Sequence, residues 1–301
     1  MPSRGNMENT ENTFNTFDKK YLKLLHKVLN NGVITPDRTS VGESTQYFHG
    51  ELSHTFEKVE GGYTLPFIQS RIFGPKLSFE EFKWMMSGST DVTELQKKGI
   101  HIWDGNSTRK FLDTRMLSHI PEYNIGKSYG YQFRNLPKKD QIRGLIKGLQ
   151  DNPTSRRNLI NIWNPENLAE MALEPCAYSY NFVVIGNKLN LLQNMRSADI
   201  LFGVPYNLAF GTYFLLAMSK IAGLEPGKLD LVMANAHIYK NQYNIVKEMY
   251  KKPFTELPEP AVGELTKNIS SLEEFLSLEY SDFKLTKFTK GAKIGNADMA
   301  V

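Results

Sequence analysis

The chain has 301 residues, 41% of them hydrophobic, and a formal net charge of +4 from 36 basic and 32 acidic side chains. This is enough apolar material for a sizeable core. No apolar run reaches the roughly 20 residues needed to cross a bilayer, and the N-terminus lacks the apolar stretch of a signal peptide, so a soluble cytoplasmic protein is expected. One cysteine excludes an intrachain disulfide and a cysteine-cluster metal site, and so mild a charge requires no nucleic-acid partner.

Residues 1–15 are rich in Asn, Thr and Glu without an apolar period and read as a flexible tail ahead of one domain spanning 16–301. From Asp18, the residues Tyr21, Leu22, Leu24, Leu25, Val28 and Leu29 recur at helical spacing until Asn30-Asn31-Gly32 stops the helix. A loop through Pro36-Asp37-Arg38-Thr39-Ser40-Val41-Gly42 follows, and alternation up to about Phe56 predicts a strand. A second helix fits 78–87, with Ser78 as N-cap, Glu81 at the capping-box position and Gly88 as stop. Further helices are expected over 140–149, 206–223 and 239–249, and strands over 158–163, 178–185 and 188–194, with a tight hairpin at Gly186-Asn187. Strands and helices mix without strict alternation, which predicts an α+β fold whose mixed, largely antiparallel sheet is packed by helices. The chain has no internal repeat and no separating linker.

The densest run of reactive residues lies between Glu174 and Asn207. A lone cysteine packs or reacts. Cys176 follows Pro175, and Arg196 closes the next strand, so a hairpin would return a guanidinium to the thiol and lower its pKa. Arginines recur in loops at Arg38 and at Arg156-Arg157. Their forked donors suit phosphate oxygens, and several converging on one site would make a monophosphate pocket.

From about Tyr21 to the last residue, the chain resembles thymidylate synthase and its pyrimidine-hydroxymethylating relatives. The motifs that carry the resemblance are Asp37-Arg38-Thr39, Ile102-Trp103-Asp104, Ser128-Tyr129-Gly130, Ser155-Arg156-Arg157, Glu174-Pro175-Cys176, Arg196-Ser197-Ala198-Asp199, Phe202-Gly203-Val204-Pro205-Tyr206-Asn207 and Ala236-His237-Ile238-Tyr239. The final Asp298-Met299-Ala300-Val301 resembles the tail that closes over folate in that family. The resemblance implies that Cys176 adds to carbon 6 of dUMP, so that carbon 5 attacks 5,10-methylenetetrahydrofolate, with no metal. It gives phosphate binding to Arg38, Arg196 and Ser197, and to Arg156 and Arg157 donated across a homodimer. It gives the sugar hydroxyl to His237 and Tyr239, and the base to Asn207, whose amide offers uracil both a donor and an acceptor. Glu81 would organise water and proton transfer, and Tyr129 would serve removal of the carbon 5 proton. Asp199, Trp103, Ile102, Leu173, Gly203, Tyr206 and Ala300 would line the folate site.

Departures from that pattern collect near the base and pterin. Ala177 stands where a synthase typically has histidine, Met195 where it has glutamine, and Asn106 where a second tryptophan is expected. Asn194-Met195-Arg196-Ser197 resembles the corresponding stretch of phage deoxycytidylate hydroxymethylase. Hydride transfer needs a stacked pterin and a dry site. A reshaped cavity that admits water therefore points to hydroxymethylation, giving 5-hydroxymethyl-dUMP and tetrahydrofolate, and a viral source would place the enzyme in the host cytoplasm. True thymidylate synthase, giving dTMP and dihydrofolate, is the alternative. A non-catalytic descendant that binds nucleotide or RNA is another, opposed by the retained Cys176 and Glu81.

Overall fold

The computed structural model describes residues 16–135, 139–251 and 257–293. The N-terminal tail and residues 294–301, Ala300 among them, lie outside the described residues. The first half contains helix α1 (Thr16–Asn31), strands β1 (Val33–Pro36), β2 (Glu43–Thr55), β3 (Lys58–Val59) and β4 (Gly62–Leu65), and helices α2 (Pro75–Ser87), α3 (Thr93–Gln96), α4 (Arg109–Thr114), α5 (Tyr129–Asn135) and α6 (Gln141–Asp151). Strands β5 (Leu159–Asn161), β6 (Ala177–Ile185) and β7 (Lys188–Asp199) come next, then helix α7 (Gly203–Ala222) and strand β8 (Glu225–Tyr239). Helix α8 (Tyr243–Tyr250), strand β9 (Ala261–Leu265), helix α9 (Leu272–Leu276) and strand β10 (Phe283–Lys287) close the described chain.

A six-stranded sheet runs β1-β2-β8-β7-β6-β5, and a four-stranded sheet runs β10-β9-β4-β3. Every pairing is antiparallel except β7 with β8, which is parallel. The result is the α+β architecture with a mixed sheet that the sequence pattern predicts. Helix α7 is apolar on nearly every side, as a helix enclosed by protein must be. Its Phe214 is fully buried and touches Phe182 on β6 and Phe82 on α2, so one helix ties the large sheet to the helical layer. Among the described residues no helix is long and apolar enough to cross a membrane.

Several boundaries differ from the sequence expectation. Helix α2 begins a turn early, because Pro75 supplies a first-turn residue with fixed φ and no N–H to satisfy. Its N-cap is Gly74, and Ser78 lies inside the helix with its hydroxyl bonded back to the Gly74 carbonyl at 3.3 Å. Glu81 therefore caps nothing. Tyr239 ends β8 rather than starting a helix; a 3₁₀ turn over Lys240–Gln242 intervenes before α8. Strands β1 and β8 and the small sheet were not anticipated from the sequence.

Candidate active site

One cavity of about 550 Å³ opens where the C-terminal ends of β7 and β8 meet α2, α5, the start of α7 and the loops at Asp37 and Ile102. Cys176 stands one residue before β6, and the pairing of Ala177 with Met195 brings Arg196 beside it. The Arg196 N–H donates to the Cys176 carbonyl at 2.9 Å, and its Nε and Nη2 donate to the carbonyls of Pro175 and Glu174 at 2.9 and 3.0 Å. One arginine thus fixes the whole Glu174-Pro175-Cys176 turn, while the Glu174 carboxylate pairs with Arg115. From the start of α5, the Tyr129 phenol oxygen accepts the Cys176 N–H at 2.8 Å.

Burial pushes the Cys176 thiol above its usual range, and the Arg196 guanidinium and Tyr129 hydroxyl offset this only in part. The expected lowering by arginine is thus outweighed. Protein atoms enclose most of the thiol although it still borders the cavity, and a guanidinium occupied with two backbone oxygens does not offset that. The resting thiol is neutral at pH 7.

Parallel pairing of β7 with β8 sets Ser197 opposite Asn235 and Asp199 opposite His237, so two rows of polar side chains leave the sheet at one rim. The Asp199 carboxylate accepts the N–H groups of Leu201 and Phe202 at 3.0 and 3.1 Å and the Gln242 amide at 2.9 Å. Burial pushes its pKa up and these donors pull it back. Burial lowers the His237 pKa against the pull of Asp199 and Asp37, which leaves the imidazole neutral, its Nδ1 3.2 Å from the Asn235 side-chain oxygen.

On α2, Glu81 and Met85 are one helical turn apart and both face the cavity. Burial pushes the Glu81 carboxyl up to about 7, and the bond it accepts from the Trp103 indole at 2.9 Å acts in the opposite direction. On α7, Gly203, Tyr206, Asn207 and Phe210 form one stripe lining the cavity.

The same cavity collects Arg38, Glu81, Ile102, Trp103, Tyr129, Leu173, Cys176, Arg196, Ser197, Asp199, Gly203, Tyr206, Asn207, His237 and Tyr239. Arg156 and Arg157 do not line it; they are exposed on the turn before β5. Ala177 and Met195, each 2% exposed, form part of its lining together with Asn106. Sequence reasoning missed Arg71, Met85, Phe111, Tyr180 and Phe210. Met85, Phe111 and Tyr180 read as ordinary core residues, Arg71 stands in no motif, and only the α7 stripe through 203, 206 and 207 signalled Phe210.

Residues 19–301 match the family model described as thymidylate synthase. A bifunctional dihydrofolate reductase-thymidylate synthase of Paramecium tetraurelia is 31% identical across 97% of this chain and 63% of its own length. One from Zea mays is 30% identical across 91% of this chain and 53% of its own. The chain thus spans between about half and two thirds of the length of these relatives.

Proposed function

The chain belongs to the thymidylate synthase family, and from that premise we propose that it joins a one-carbon unit from methylenetetrahydrofolate to carbon 5 of dUMP and hydrates it to hydroxymethyl. The observation that carries the reading is a single cavity in which Cys176 faces Arg38, Arg196 and Ser197 as well as the apolar surface of Ile102, Trp103 and Leu173. The first group suits a nucleotide monophosphate. The second suits a pterin ring, which stacks on an aromatic face.

Cys176 adds through sulfur to carbon 6, once phosphate contact and loss of its proton favour the thiolate. Methylenetetrahydrofolate supplies the electrophilic carbon. Tyr129, bonded to the Cys176 N–H, serves removal of the carbon 5 proton in this reading. Glu81, with a pKa near 7, exchanges protons at neutral pH at little cost. Asn207 holds the uracil edge, and His237 and Tyr239 hold the sugar hydroxyl. Arg156 and Arg157 reach the phosphate of a second copy. Leu159, Val183 and Leu192 support that arrangement, since by register they share one face of the large sheet and are 49%, 44% and 37% exposed.

Hydration is favoured by the small Ala177, by Met195 and by Asn106 in the cavity lining, where water meets less bulk and less competition for the methylene. A second reading, reductive methylation to dTMP, is favoured by the relatives, whose names contain thymidylate synthase. Mass analysis of the nucleotide formed from dUMP in ¹⁸O-water separates the two. Hydroxymethylation gives a labelled product without dihydrofolate; an unlabelled methyl product with dihydrofolate would replace it with the second reading.

A further inference from the structure

Tyr180 on β6 lies directly across from Gln193 on β7, and residues so opposed present their side chains to one face of a sheet. Helix α7 covers that face. Tyr180 packs on Phe210 and Phe214 with ring centroids 5.6 and 5.5 Å away. Gln193 Oε1 would be 2.4 Å from a Cβ at position 211, so Gly211 is what leaves room for the amide. Gln193 is fully buried, and neither of its amide atoms has a hydrogen-bond partner among the described residues.

Tyr180 is 1% exposed yet lines the cavity with Glu81 and Cys176. No hydrogen bond from a described residue engages its hydroxyl. Two polar side chains are thus opposed across the strands beneath α7, Tyr180 reaching the cavity among phenylalanine rings and Gln193 enclosed beside Gly211. Polar groups in such a place are costly unless satisfied, and an ordered water satisfies them where space allows.

We propose, resting on the hydroxymethylation reading above, that Tyr180 and Gln193 are positioning residues for the water that adds to the exocyclic methylene at carbon 5. The water oxygen forms the new bond to the methylene carbon, and the carbon–carbon π pair moves into the ring as an enolate. The water proton passes to the Glu81 carboxylate. The enolate pair then re-forms the bond between carbons 5 and 6 and expels the Cys176 sulfur as thiolate. Nothing is oxidised or reduced in the sequence.

The test uses Tyr180→Phe and Gln193→Met, which keep the ring and the chain length, in the intact protein with dUMP and methylenetetrahydrofolate. A small added thiol competes with water for the electrophilic methylene. In either variant the ratio of thioether to hydroxymethyl product is expected to rise about tenfold, while tritium release from carbon 5, which precedes water capture, stays within about twofold. In the wild-type protein crystallised with dUMP, an ordered water is expected within hydrogen-bonding distance of the Tyr180 hydroxyl. An unchanged ratio in both variants, or no such water, overturns the proposal even where the wild-type product is 5-hydroxymethyl-dUMP. A wild-type product of dTMP with dihydrofolate overturns the hydroxymethylation reading and the role given to this water together.

Discussion

Tyr129 and Cys176 are joined through the main chain: the phenol oxygen accepts the cysteine N–H at 2.8 Å. Tyr129→Phe leaves that buried donor unpaired, at a cost of about 1–3 kcal/mol. It also removes a contact that lowers the thiol pKa. The variant is expected to melt earlier and to react more slowly with iodoacetamide at fixed pH, both measurable without substrate.

Arg196→Lys should be far from conservative. A lysine ammonium cannot reach the Pro175 and Glu174 carbonyls as a planar fork does while also facing phosphate. Loss of about 100-fold or more in kcat/KM for dUMP is expected. A loss under threefold in steady-state assays would contradict the role assigned to this side chain.

Among the described residues, the Trp103 indole N–H is the one hydrogen bond that holds the Glu81 pKa down, against burial that raises it from 4.5 to about 7. Trp103→Phe should move the ionisation near pH 7 in the kcat/KM profile to more alkaline pH by about one unit. The sign for stability follows: the folded protein keeps a proton that the unfolded chain releases, so Glu81 makes stability fall as pH rises from 4.5 through about 7. Denaturant titrations of wild type and Glu81→Gln across that interval should diverge accordingly.

Refilling the cavity lining should redirect the product. Ala177→His with Met195→Gln is expected to raise the share of methyl over hydroxymethyl nucleotide, followed by dihydrofolate absorbance against product mass. No change in that ratio would separate these two positions from the fate of the methylene.

Subunit complementation tests the shared site. Cys176→Ala and the double variant Arg156→Ala/Arg157→Ala should each be inactive alone. Mixed and re-associated, they should recover roughly a quarter of wild-type activity, since half the dimers carry one intact site. No recovery on mixing would show that both arginines serve their own subunit.

The strongest periodic segments were legible in the sequence: α1, α7, and the β6–β7 hairpin with its left-handed glycine, Gly186 at φ 63°. That hairpin brought Cys176 and Arg196 together as expected. Strand β8 was hidden because it opens with Glu225-Pro226-Gly227, residues that read as a turn, although they begin a strand of 15 residues. The start of α2 was misplaced because a serine followed three residues later by glutamate imitates a cap, whereas Pro75 sets the true beginning. The direction of the thiol shift was beyond reach of spacing alone. It depends on how much water Cys176 loses, which only the packed neighbours decide. Tyr180 gave no signal either, since a strand tyrosine is commonplace and its exposure to the cavity is a tertiary fact.

The parallel alignment of β7 with β8 has an evolutionary corollary. Ser197 meets Asn235 and Asp199 meets His237 only in this register, and a slip of one residue would turn each group to the opposite side. Insertions and deletions within either strand near that rim should thus be purged during divergence. The hairpin tip at Gly186-Asn187, at the far end of β7 from that rim, should tolerate changes of length.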